Sequence, residues 1–74
     1  MNRENNPIFG AIIERGVILK ANNGTYTVKS YDRDGIITLP IKALLPEAAY
    51  YAGNRVFFFL FQDGSGRILG PMDD

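Results

Sequence analysis

Asp32-Arg33-Asp34-Gly35 is where acidic side chains come closest to the spacing of a calcium loop. Such a loop needs D-x-D-x-D-G and a later bidentate Glu, and the third acid and that Glu are both missing here. Asp and Gly are also what a hairpin turn requires for backbone reasons, so the segment reads as a turn and not a metal site. Gly64-Ser65-Gly66 would cradle a phosphate only if it opened a helix behind a strand. Arg67-Ile68-Leu69-Gly70-Pro71 follows and reads as a strand, which makes this a second turn. Tyr26, Tyr31, Tyr50, Tyr51 and the phenylalanines offer rings for base stacking, but a strand-binding groove also needs aligned cations. Arg15, Lys20, Lys29, Arg33, Lys42, Arg55 and Arg67 are instead scattered, with acids among them.

The composition removes most catalytic chemistry. There is no histidine, hence no imidazole for proton transfer near neutral pH, and no cysteine, hence no thiol nucleophile, thiolate metal site or disulfide. No triad or paired-carboxylate pocket can be assembled, and Glu14, Glu47 and the aspartates read as solvated surface. The expectation is a protein that is not an enzyme and holds no cofactor and no metal. Eight basic and eight acidic residues give zero formal charge, which argues against a partner held by its phosphates.

The elements that would carry any site must fit into 74 residues, one domain with one modest core. Residues 1–7 read as a flexible arm closed by Pro7, and 8–72 as the folded domain. The arm lacks the apolar segment of a signal peptide, and no run approaches the ~20 apolar residues of a membrane helix. A soluble product made in a reducing cytoplasm is expected, with no membrane contact.

Residues 8–20 read as a long first strand, rich in β-formers and interrupted by Gly16, where a bend or bulge is expected. Asn23-Gly24 signals a tight hairpin, because both central positions of that turn need positive φ. Residues 25–31 alternate cleanly as a second strand, and 36–39 read as a third. The connector 40–53 is expected to hold a helical turn at 42–45, ended by Pro46, and another at 47–51. Residues 56–62 and 67–70 read as the fourth and fifth strands. Five short strands, a bent first one and a long third-to-fourth connection predict an all-β, small five-stranded Greek-key barrel of the OB type. An SH3-like barrel is the alternative.

The fourth strand poses the main question. A half-buried strand alternates apolar with polar side chains, yet Val56, Phe57, Phe58, Phe59, Leu60 and Phe61 are apolar on both faces. Monomers seldom expose an apolar patch larger than a few hundred Å2. Either the 40–53 connector folds over the second face or another chain covers it, and contact with another chain is the favoured reading.

The residues Tyr51-Ala52-Gly53-Asn54-Arg55-Val56-Phe57-Phe58-Phe59 and Gln62-Asp63-Gly64-Ser65-Gly66-Arg67-Ile68-Leu69-Gly70-Pro71-Met72 resemble the end of the OB domain of phage tail spike and baseplate hub proteins. The related spikes of type VI secretion share that pattern. Upstream, "GVILKANNGTYTVKSYDRDGIITLPI" is similar to the family's opening hairpin and its apolar-proline step. The resemblance spans most of 8–72 and rests on strand rhythm and glycines, without a catalytic signature. Two departures stand out. Phe57 and Phe59 occupy positions where the family often carries a charge in the fourth strand, and Asn54 replaces the usual Asp. The β-helical needle of the full-length spikes is not in this sequence, so a stand-alone OB protein is expected.

By the family's rhythm, Val56, Phe58 and Leu60 point into the barrel, while Phe57, Phe59 and Phe61 point outward as the oligomer or partner interface. The resemblance implies a structural component of a phage tail tip, baseplate or related contractile injection particle. It would assemble as an oligomeric ring, with a trimer favoured, and contact other tail or baseplate proteins in the virion. The alternative is an OB module binding single-stranded nucleic acid. No nucleic-acid partner is expected under the favoured reading.

Overall fold

Asn23 (φ 54°) and Gly24 (φ 85°) both adopt the left-handed backbone that the Asn-Gly pair leads one to expect. They close a two-residue hairpin between β1 (Ile12–Asn22) and β2 (Thr25–Ser30), with Asn22 opposite Thr25. β3 (Ile41–Ala43), β4 (Arg55–Leu60) and β5 (Gly66–Pro71) complete the fold in the computed structural model, which describes residues 12–72. The expected arm at 1–7 and the start of the first strand at 8–11 lie outside the described residues.

The strands close a barrel in the order β1-β2-β3-β5-β4, with β4 returning to β1. All neighbours are antiparallel except β3 and β5, which run parallel. The all-β, five-stranded barrel expected from the sequence is therefore the fold, and its strand order is OB-like. Ile18, Tyr26, Val28, Ile41, Tyr50, Val56, Phe58, Leu60 and Ile68 fill its interior.

Three sequence expectations need correction. The first is the third strand. Of residues 36–39, only Ile37 forms an isolated bridge, to Lys29, and β3 lies beyond Pro40. Proline has no N–H to donate, so the ladder is interrupted there and resumes. Thr38 fills part of the gap: its buried hydroxyl accepts the Val28 N–H at 3.0 Å, and its own N–H donates to Val28 O.

The second correction concerns the helical turns expected at 42–45 and 47–51, since no helix occurs among the described residues. Ile41 is buried and pairs with Tyr26, and Ala43 pairs with Ile68, so sheet pairing and burial override local helix propensity.

The third correction is the place of the irregularity in β1. Gly16 sits in regular register with Ser30 on one side and Val56 on the other, and Leu19 is the bulged residue. Gly16 is needed for space. A Cβ there would stand 2.6 Å from Lys29 O and 2.8 Å from Phe58 Cε1, so the strand can pass close over the core only without a side chain.

Candidate interaction surface

β4 sorts its apolar run as pleating demands. Val56 and Phe58 are fully buried and Leu60 nearly so, all within the core cluster. Phe57 and Phe61 stay 38% and 39% exposed on the outside. Phe59 shares their face but is only 9% exposed, and it stands apart from the core cluster. Phe61 lies edge-on to it, with centroids 5.4 Å apart and planes at 75°. On neighbouring strands Phe59 is flanked by Ile13 and Arg67.

Ile13 belongs to this surface, although the sequence marked it only as a β-former. Glu14, next in β1, points inward and is buried, which turns Ile13 outward at 57% exposure. The apolar band continues around the β4–β5 turn, where Gly64 N donates to Phe61 O and Leu39 packs against Gly64. The connector does not cover this band. It turns Tyr50 into the barrel, where Tyr50 N donates to the Tyr26 hydroxyl and the two rings meet edge-on at 5.5 Å. Tyr26 and Tyr50 are therefore core residues and not stacking platforms, and burial raises the Tyr50 phenol above its ordinary range.

Asp32, Asp63 and Glu14 are committed to structure. Asp32 binds Arg15 in a fork: its Oδ1 accepts from Nη2 at 2.7 Å, and its Oδ2 accepts from the Arg15 backbone N–H at 2.7 Å. These hydrogen bonds hold the Asp32 carboxyl below its ordinary range and raise the Arg15 guanidinium. Asp63 is lowered in the same way by the Ser65 hydroxyl and N–H within the Gly64-Ser65-Gly66 turn. That segment leads straight into β5, as expected. No cluster of three or more metal-ligating side chains occurs among the described residues.

Because the folded pKa values of Asp32 and Asp63 lie below their unfolded ones, their contribution is complete above about pH 4, the unfolded value. It fades as pH falls further. Both carboxylates are solvent-exposed, so a shallow loss of melting temperature below pH 4 is expected. It should disappear from Asp32→Asn, Asp63→Asn when melts are run from pH 6 to pH 2.5.

Glu14 corrects the reading of the acids as solvated surface, for it is 1% exposed. Its Oε1 accepts from the Ser30 hydroxyl at 2.7 Å, and Ser30 Oγ accepts in turn from the backbone N–H groups of Asp32 and Arg33. Arg33 Nη2 stands 2.6 Å from Oε2 as an ion-pair partner, without the alignment of a hydrogen bond. The side chain thus ties the start of β1 to the 31–35 turn. Strand alternation was the available signal, since Glu14 falls on the same face as Ile18. Glu14→Ala should cost about 1–3 kcal/mol, the penalty for orphaning a buried hydrogen-bond partner. Arg33 keeps its head partly in water, which holds the cost below that of a fully buried pair. Urea titration reads it, and Glu14→Gln, which preserves the Ser30 bond, should lose less.

No helix among the described residues is long and apolar enough to cross a membrane. In comparisons with protein-family models, curated proteins and solved structures, nothing matches this chain.

Proposed function

We propose that the chain is a structural assembly module, not an enzyme, that packs its outward apolar band against further copies of itself in an oligomeric ring. The observation that carries this reading is the band of Ile13, Phe57 and Phe61, over a third exposed on one side of a closed barrel. Aromatic side chains at the centre of such a contact commonly dominate its binding energy. The strand-rhythm resemblance supports a phage tail tip, baseplate or related contractile injection particle as the setting, a trimer as the favoured ring, and other tail proteins as neighbours. The zero formal charge fits a protein partner better than nucleic acid.

Light scattering on the eluting protein tests the reading. The wild-type chain should run as a multimer. Ile13→Glu and Phe57→Glu should each weaken association about thirtyfold or more, since each places a carboxylate in an apolar contact. Both positions are exposed, so the melts should change little. Phe59 serves this purpose poorly: it is covered by its own chain, and its loss would mix folding with association. A monomeric wild-type chain at high concentration would overturn the proposal.

A further inference from the structure

Lys42 and Arg67 are far apart in sequence, yet they are register partners on the parallel strands β3 and β5. Their neighbours Ile41, Gly66 and Ile68 are buried, so both cations point outward, on strands about 4.8 Å apart. They form the divide between two hollows and line both. One, about 450 Å3, is bounded by the Asn23-Gly24 turn and Pro46; the other, about 180 Å3, by Thr25, Pro40 and Ser65.

Like charges side by side on neighbouring strands destabilise each other, so such a pair needs a counter-charge. Three acids are engaged elsewhere, Asp32 with Arg15, Glu14 with Arg33 and Asp63 with Ser65, while Glu47 stands between two residues that line the larger hollow and is ion-paired to neither cation. Among the described residues, neither Lys42 nor Arg67 forms an ion pair. The Arg67 head donates, among the described residues, to its neighbour's carbonyl, Gly66 O, at 2.7 Å.

We propose that Lys42 and Arg67 form a binding site for a single phosphate-monoester dianion, either free phosphate or the terminal phosphate of a small molecule. Such a group carries about −1.5 to −2 at neutral pH and neutralises both cations at once, where one carboxylate would leave a cation over. The Arg fork binds two of its oxygens and the Lys ammonium supplies a point charge to a third. The flanking hollows give room for the remainder of an esterified ligand. A nucleic-acid strand fits less well, because it needs a track of aligned cations, and this seam presents a pair in a chain of zero formal charge. The site borders the apolar band at one point, since Arg67 stands opposite Phe59, but it does not rest on the assembly reading.

Amide NMR of the full chain tests it by titration with inorganic phosphate, a nucleoside 5′-monophosphate, and acetate at constant ionic strength. Saturable shifts confined to residues around 42 and 67 are expected with both phosphates. Equal affinities identify free phosphate as the ligand, and tighter monophosphate binding identifies an ester; either supports the site. Acetate binding as well as phosphate, or shifts spread equally over Lys20 and Lys29, would overturn it. Lys42→Thr and Arg67→Thr should each weaken phosphate about tenfold, the worth of a charge-assisted contact, with unchanged melts. Unaltered affinity in both variants would overturn it too. So would tighter binding of oligothymidylate with a salt dependence reporting several phosphates.

Discussion

Phe58→Ala is expected to leave the chain largely unfolded, while Phe57→Ala, one residue earlier, is expected to leave it folded. Phe58 has no exposed surface and leads the fully buried side chains in size. Removing such a ring costs about 3–5 kcal/mol in lost transfer energy and cavity formation. A small domain has only about 5 kcal/mol to lose at the low end of the usual range, since it buries a smaller share of its surface. Phe57 is 38% exposed, and its truncation removes contacts on one side only. Urea titrations of the two variants measure the difference. Similar midpoints for both would mean that the inward and outward faces of β4 are assigned wrongly.

Gly66→Ala should be comparably damaging, although it adds one carbon. A Cβ at Gly66 would fall onto the carbonyl of Phe59 and lie 3.0 Å from Leu60 Cα. These are backbone atoms of the paired strand and cannot swing aside as a side chain would. β4 and β5 would have to separate where Leu60 pairs with Gly66 and Phe59 with Arg67. The expected loss is above about 3 kcal/mol, beyond ordinary overpacking because no rotamer change relieves it. Gly70→Ala is the matched control, because nothing lies within 4 Å of a Cβ there. It should stay within about 0.5 kcal/mol of wild type. A thermal melt that shifts equally for both variants would remove the steric explanation.

The contrast between these glycines shows what a linear reading can and cannot see. Gly24 was legible because its role is local: an Asn-Gly pair between alternating strands specifies a tight turn from its own backbone preferences. The inward set of β4 was legible for a similar reason, since pleating fixes which residues share a face. Gly16 and Gly66 looked like interruptions or turn residues, because the atoms that crowd them belong to other strands. β3 was misplaced on the same account. Ile36 and Ile37 have the stronger β propensity, but burial of Ile41 against Tyr26 and the parallel pairing with β5 select the segment after Pro40.

The surface follows the same division. An outward, doubly apolar β4 could be read from the run itself. The self-coverage of Phe59 and the membership of Ile13 could not, as both depend on β1 lying beside β4. Glu14 fell silent because an isolated acid in a strand resembles any solvated one until Ser30 and Arg33 are brought to it. The adjacency of Lys42 and Arg67 is likewise a product of the parallel seam.

That seam also sets how the barrel opens. β3 has three residues, and its recorded register with β5 comprises Lys42 opposite Arg67 and Ala43 opposite Ile68. β1 is held along six residue pairs by β4 and along six more by β2. Breaking the β3–β5 rungs turns a closed cylinder into a curved open sheet while leaving the β1–β2 and β1–β4 ladders whole. The cheapest excursion from the native state is therefore an unlatching at β3, local rather than global. The two strand edges bared at that moment belong to β3 and β5, so the molecule can breathe there while the β1–β4 and β4–β5 ladders that hold Phe58 stay paired.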